Sequence, residues 1–359
     1  MKLLLLAGEE SGVMYAERIA KEVRGEDPSV EIRGYCDYGF KTGDLAVMGL
    51  GQVLKRIFYF LRVKRTMERA IDEWKPDVVC TVDYPGLNLK LAAYAKRRGI
   101  RAVHVVCPQV WAWKKGRIPK IEASLNKLCC FFPFEPKLFK PGFAEFVGHP
   151  LVDEMRDEGR GMRDEERVEK ILAILPGSRM GEIEKHLPVL LEVVEKLQAE
   201  MPDLKVVIPA ANDKAYSRIS SLIPHPSSLC ITRGEARAAL CDATAAIVAS
   251  GTATLEAALA GCPTVLVYKV GWLFAFLARR FIKGIRHIGL ANIIAEKAGV
   301  PCPMPEFLQE NFTAENILRY VRPWIADPVA NAAARQSLAG TMKFLKSDGG
   351  AIARIARSL

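Results

Sequence analysis

Three short stretches bring together residue types that could hold a phosphate and move a proton. In AILPGSRMGEIEKHLP (173–188) an apolar run ends in Pro176, Gly177, Ser178 and Arg179, and a helical pattern begins at once. The free N–H groups and positive dipole end of a helix hold phosphate oxygens, and a guanidinium adds a two-pronged donor. In ASGTATLEAAL (249–259), Ser250, Gly251 and Thr252 make a second turn with hydroxyls at a helix start. Thr254 follows, and Glu256 lies one turn in, where a carboxylate can accept from paired sugar hydroxyls. Ser and Thr also cap helices for structural reasons, so neither loop is diagnostic singly. Two such loops with an arginine suggest a diphosphate. In VDYPGLN (82–88), Asp83 stands at the end of an apolar run before a Pro-Gly turn. A carboxylate there can serve as general base toward a hydroxyl, although accepting backbone N–H groups is the commoner fate of such an Asp.

Two further stretches are less specific. CPQVWAWKKGRI (107–118) carries Trp111 and Trp113, which could stack on a sugar, brace an acyl chain or simply pack in a core. AGEESG (7–12), with Gly8, Glu9, Ser11 and Gly12, lacks the G-x-G-x-x-G spacing of a dinucleotide loop, and no stretch matches G-x-x-x-x-G-K-[ST]. The nine cysteines are scattered with no C-x-x-C, which argues for a reducing compartment and against a zinc site. His149, in FVGHP, reads as a structural histidine near a hinge.

The elements that must position these loops alternate β and α. Strands are expected at 2–8, 76–83, 101–108 and 127–134, with helices at 11–23 and 88–99; Cys129 and Cys130 fall in the last of those strands. After a charged, glycine-containing stretch at 146–170 the alternation restarts, with strands at 173–176, 205–209, 229–232, 245–250 and 263–268. From Thr313 onward the pattern is helical. Apolar runs without strict alternation suit strands covered on both faces, as in a parallel sheet. At 359 residues the chain has material for two domains. The expected fold is α/β, two Rossmann-like domains facing across a cleft, with C-terminal helices packing back. The expected division is 1–160, 161–340 and a C-terminal helix at 341–359, packed on the first domain or on a partner subunit. Every chemical loop then lies at the carboxyl end of a strand, where ligands of such folds bind.

Net charge is +10, with a pI near 9.1, which favours anionic partners. LKRIFYFLRVKR (54–65) and KVGWLFAFLARRFIKGIRH (269–287) each interleave five basic groups with aromatics. That is the composition of an interfacial helix, and it nominates Lys55, Arg56, Phe58, Tyr59, Phe60, Arg62, Trp272, Phe274, Arg279 and Arg280 as membrane-facing. A core helix with a basic edge would read the same way. The opening MKLLLLAGEESG is too short in its apolar run for a signal peptide, and VGWLFAFLA (270–278) is too short to span a bilayer. A soluble or peripheral protein is expected.

In order along the chain, AGEESG, LAVMGLGQVLKR, VDYPGLNLKLA, CPQVWAWKKGRIPKI, FPFE, FVGHPLVDE, LPGSRMGEIEKHLP, VASGTATLEAAL, YKV, HIGLANIIA and PEFLQE resemble the lipid-A-disaccharide synthases, inverting glycosyltransferases of the GT-B fold. The resemblance implies UDP-2,3-diacylglucosamine as donor and 2,3-diacylglucosamine 1-phosphate as acceptor, no metal and no cofactor, no nucleic-acid partner, a peripheral place on the cytoplasmic face of a bacterial membrane, and a homodimer. It implies Asp83 as base and Gly8, Glu9, Ser11, Gly12, Trp111 and Trp113 on the acceptor side. It places Gly177, Ser178, Arg179, Ser250, Gly251, Thr252, Thr254, Glu256, Asn292 and Gln309 around the UDP part. The chain departs from the family pattern in three places: Val13 stands where an aspartate is usual, Gly86 replaces a second carboxylate, and a glycine-rich loop is missing from 31–49. All three lie in the acceptor half. A relative acting on another sugar nucleotide or acceptor, or a catalytically silent binder of UDP-sugar or lipid, is the alternative.

Overall fold

The apolar runs form strands because both faces of each sheet are covered. The computed structural model describes residues 1–8, 10–40, 53–112, 115–157, 169–223, 229–271 and 286–359. These divide into two compact units, residues 1–150 with 345–359, and residues 151–344.

The first unit runs β1 (Lys2–Ala7), α1 (Glu10–Glu26), β2 (Glu31–Arg33), α2 (Val53–Trp74), β3 (Val78–Val82), α3 (Asn88–Arg97), β4 (Arg101–Val105), α4 (Ile118–Ser124), β5 (Lys127–Cys130) and β6 (Ala144–Phe146). Its sheet is parallel throughout, in the order β2-β1-β3-β4-β5-β6. Alternate residues of β1 supply the two cores. Leu3 and Leu5 pack with Ile19 and Val23 of α1, while Leu4 and Leu6 pack with Val63, Met67 and Ile71 of α2.

Helix α5 (Pro150–Asp157) leads into the second unit. There follow β7 (Ile171–Leu175), α6 (Met180–Glu200), β8 (Lys205–Ala210), α7 (Asp213–Leu222), β9 (Cys230–Arg233), α8 (Ala236–Asp242), β10 (Ala245–Ala249), α9 (Thr252–Leu259), β11 (Thr264–Tyr268), α10 (Leu290–Ala298), β12 (Glu306–Leu308), α11 (Ala314–Ala326) and α12 (Pro328–Met342). The second sheet is also parallel, ordered β12-β11-β10-β7-β8-β9. The last helix, α13 (Ala351–Arg357), returns to the first unit, where Ile352 and Ile355 share the α1 core.

Three strands escape the sequence pattern: β2, β6 and β12. Each has three residues and each lies at a sheet edge, where one neighbour suffices and little apolar surface is covered. Of the stretch 146–170, expected as a linker, residues 146–157 and 169–170 are described. Residues 150–157 are helical, and Ser347 Oγ donates to the Val147 carbonyl at 2.7 Å.

Both sheets carry a topological switch point. In the first unit the chain leaves β1 toward β2 on one side and returns to β3 on the other. In the second, β7, β8 and β9 build outward one way and β10, β11 and β12 the other. Ligands of open α/β sheets bind at the carboxyl ends of the strands that flank such a point.

Candidate active site

Asp83 follows β3 directly, at the first unit's switch point. It sits at φ +50°, Tyr84 at +50° and Val106, after β4, at +75°. Val82 and Val105 are register partners, so Asp83 and Val106 leave adjacent strands side by side. A β-branched residue at positive φ is strained, and such strain concentrates where surrounding structure holds a functional group in place. The holding group is Asn88, fully buried at the start of α3. Its Nδ2 donates to the carbonyls of Leu6 (3.2 Å), Val82 (3.1 Å) and Asp83 (2.9 Å), and its Oδ1 accepts from the Tyr35 hydroxyl at 2.7 Å. One side chain thus ties the ends of β1 and β3 to the turn between β3 and α3.

The start of α1 closes over this turn. A Cβ on Gly8 would meet the Tyr84 ring at 2.5 Å, so only glycine fits there, and one on Gly12 would lie 3.8 Å from the Asp83 Cβ. Burial raises the Asp83 pKa above its ordinary value, partly offset by the Tyr84 N–H, which donates to Oδ1 at 2.8 Å. A carboxylate whose basicity is raised this way is a better proton acceptor.

Asp83 lines a cavity of about 250 Å³ with Gln109, Arg117 and Glu135. The sequence reading singled out none of the last three as site residues. Glu135 is 2% exposed; burial pushes its carboxyl up to about 8, against the pull of the Phe132 N–H, which donates to it at 3.1 Å. Its place in the FPFE stretch, just past a strand end, was the available signal. Trp111 does not line this cavity. It packs edge-on against Phe134 at 5.6 Å and braces the wall. His149 is buried beside Phe131 and Phe132, and burial lowers its pKa to about 4. At the positions that depart from the family pattern, Val13 packs against the α1 core, whereas a Cβ on Gly86 would meet nothing within 4 Å.

In the second unit the loop 176–179 follows β7 and leads into α6, and 250–252 follows β10 and leads into α9. Since β7 and β10 are neighbours, two helix starts lie side by side at the carboxyl end of the central strands. Gly177 is at φ +115°, and a Cβ there would meet Glu182 Oε2 at 2.7 Å. Arg179 is 71% exposed and pairs with Glu182 at 2.8 Å, so it must exchange that partner to reach a phosphate. Ser178, Ser250 and Thr252 have no hydrogen-bonded side-chain partner among the described residues.

Four expected UDP contacts are engaged elsewhere. Thr254 Oγ1 donates back to the Gly251 carbonyl at 2.8 Å and fixes the turn. Asn292 is fully buried; its amide bonds both backbone groups of Met304 (2.7 and 3.0 Å) and Glu306 Oε1 (2.8 Å). With its amide turned so that the nitrogen faces the carbonyl, Gln309 donates to the Val270 carbonyl at 3.3 Å and accepts the Val270 N–H at 3.2 Å. Glu256 accepts from Arg237 Nε at 2.9 Å, and Arg237 also reaches Glu154 at 2.9 Å. These side chains hold the loops. His186 does the same on a larger scale. Buried on α6, it donates from Nδ1 to the Pro176 carbonyl at 2.7 Å and accepts the Lys269 N–H on Nε2 at 2.9 Å. It therefore joins the loops after β7 and β11 as a neutral ring, and burial lowers its pKa.

On α2, Phe58 and Arg62 are exposed, but Tyr59 and Phe60 turn inward, contrary to expectation. They pack on the α2 core, with Tyr59 edge-on to Phe40 at 6.2 Å and Phe60 against Tyr84 at 6.3 Å. Consecutive residues of a helix point about 100° apart, so a run of three aromatics cannot share one face. Glu9, Trp113, Trp272, Phe274, Arg279 and Arg280, and the side chains of Lys55 and Arg56, lie outside the described residues.

A family model described as lipid-A-disaccharide synthetase matches residues 3–343. Lipid-A-disaccharide synthase 1 of Legionella pneumophila is 33% identical over 345 residues, covering 91% of this chain and 88% of that protein. The structure of UDP-GlcNAc 2-epimerase from Neisseria meningitidis bound to UDP-GlcNAc superposes with a TM-score of 0.62 at 11% identity, over 100% of this chain and 99% of that one. MurG from Acinetobacter baumannii superposes at 0.57 and 13% identity, over 99% and 98%. These two structures speak to the fold alone: two Rossmann-like units of the GT-B type.

Proposed function

The chain belongs to the lipid-A-disaccharide synthetase family, and from that premise we propose how its residues divide the reaction. It is a hexosyltransferase that condenses UDP-2,3-diacylglucosamine with 2,3-diacylglucosamine 1-phosphate to the lipid A disaccharide 1-phosphate and UDP. In our reading, the second unit takes the UDP part of the donor. The diphosphate lies against the N-terminal N–H groups of α6 and α9, with the hydroxyls of Ser178, Ser250 and Thr252 beside it. Arg179 turns from Glu182 to the phosphate as charge builds on the leaving group. Glu256, oriented by Arg237, accepts from the ribose hydroxyls.

The first unit takes the acceptor. The 6-hydroxyl of the acceptor sugar donates its proton to Asp83 as its oxygen attacks C1 of the donor. The C1–O bond to UDP breaks with its electron pair leaving on the diphosphate, and a single displacement inverts C1 to a β-1,6 link. The observation that carries this reading is the placement of Asp83 at one switch point and of the paired helix starts at the other.

Membrane contact belongs to the same reading. No helix among the described residues is long and apolar enough to cross a membrane. Exposed Phe58 and Arg62 on α2 favour an interfacial contact on the side where acylated substrates reside. The test is the product itself: NMR of the disaccharide should give a β-1,6 linkage. An α-linkage, or epimerised or hydrolysed UDP-sugar alone, would overturn the assignment.

A further inference from the structure

Beside the Asp83 cavity lies a second, open one of about 300 Å³, lined from α2, α3, α4 and the Pro85-Gly86 turn. Its lining is one-sided in charge. Lys64, Lys90, Arg97, Arg117 and Lys120 contribute five cations, and Glu68 is the one acid. Glu68 is already paired with Lys64 at 2.6 Å, and Arg97 lies over the Tyr94 ring at 5.9 Å. Lys90, Arg117 and Lys120 have no acidic partner among the described residues. Like charges gathered around one small space repel, and a bound anion relieves that repulsion while gaining several charge-assisted contacts.

Two further features narrow the anion. First, Pro85 and Arg117 line both this cavity and the one that holds Asp83, so a small molecule with an anionic end and a hydroxyl end can reach both. Second, the lining is apolar between the cations, at Leu89, Ala93 and Ile121. On α2, Lys64 and Glu68 continue a helical stripe whose preceding members, Phe58 and Leu61, are 70% and 41% exposed. A basic cavity with an exposed apolar path leading from it suits an amphiphile, not a free ion.

We propose that this cavity binds the anomeric phosphomonoester of the acylated acceptor, with Lys90, Arg117 and Lys120 as its principal donors and the acyl chains lying toward Phe58 and Leu61. The inference rests on the acceptor reading above and gives it a location. The phosphate is thereby anchored one cavity away from Asp83, and acceptors without it lose their alignment toward the base.

The test compares 2,3-diacylglucosamine 1-phosphate with its dephosphorylated counterpart, both in neutral detergent, by direct binding and by turnover. Wild type should prefer the phosphorylated form. The pair Lys90→Ala with Lys120→Ala should raise its dissociation constant about 10- to 100-fold, the size of lost charge-assisted contacts, and leave the dephosphorylated compound and UDP unchanged. Both lysines are exposed, so the fold should be intact, and a thermal melt checks this. A variant that keeps the full preference for the phosphate overturns the proposal, even if turnover remains acceptor-dependent. A wild type that binds the phosphorylated form selectively without transferring to it overturns the reaction reading and leaves the cavity assignment standing. Anionic phospholipid offers the same chemistry from another source. Partition onto phosphatidylglycerol vesicles should be equal for wild type and variant, and a variant that loses only vesicle binding would assign the cavity to the membrane instead.

Discussion

In the second unit the groups available to a ligand are mostly backbone N–H groups and small hydroxyls at two helix starts. The larger polar side chains nearby, Thr254, Asn292, Gln309 and His186, face inward and hold the loops. The first unit is built the other way round. There a strained backbone projects one carboxylate, Asp83, into a cavity walled by side chains, with a basic cavity adjoining. On the proposed division of the reaction, the difference follows from the task. A diphosphate is a fixed shape of charge that helix ends match directly, whereas deprotonating one hydroxyl on one sugar needs a titratable group and walls that select the acceptor.

The largest effect expected from this contrast is on turnover. Asp83→Asn keeps the size and the turn but removes the base, and should lower kcat by roughly 10²–10⁴-fold with UDP affinity unchanged. An equal fall in UDP affinity would place Asp83 among the donor contacts and erase the contrast. Next is Glu135→Gln, read through pH. The folded-state pKa of Glu135 is raised to about 8 from 4.5, so its contribution to stability is present in full below 4.5 and lost as pH rises through 8. The variant should lack that alkaline loss, a difference of a few kcal/mol by denaturant unfolding. His149, lowered to about 4 from 6.5, has the opposite sign: its contribution is full above 6.5 and lost as pH falls through 4. Identical pH profiles for Glu135→Gln and wild type would remove Glu135 from the list of groups that limit the first unit.

Arg179→Ala should weaken UDP by about 1.5–3 kcal/mol and leave uridine unaffected, since the lost contact is to phosphate. Equal losses for the two ligands would move Arg179 away from the diphosphate. The smallest effect is expected at Gly86→Asp. The site is open, so stability should change by less than about 0.5 kcal/mol, and turnover should move only a few-fold if Asp83 alone is the base. A large gain would mean that the second carboxylate matters and that the first unit is working below its capacity.

Much of the architecture was legible because central parallel strands are covered on both faces and read as unbroken apolar runs. Edge strands β2, β6 and β12 carry no such signal. The loops were legible as well, since Gly177, Ser250, Gly251 and Asp83 are types that strand ends and helix starts need. What was not legible is which polar groups face a ligand and which face the protein. Asn292 and Gln309 read as ligand contacts, and only tertiary folding brings Met304 and Val270 against their amides. Asn88 and His186 work through partners up to 83 residues away in sequence. On α2 the composition was clear and the rotation was not: Phe58 is exposed while Tyr59 and Phe60 are half-buried against the core.

The central claim is that the first unit presents an acceptor hydroxyl to Asp83 while the second holds UDP. It is tested most directly by UDP release from UDP-2,3-diacylglucosamine in neutral detergent, with and without 2,3-diacylglucosamine 1-phosphate. Expected is release that depends on acceptor, saturates with it and disappears in Asp83→Asn. Release at the same rate without acceptor, or undiminished in Asp83→Asn, would contradict it.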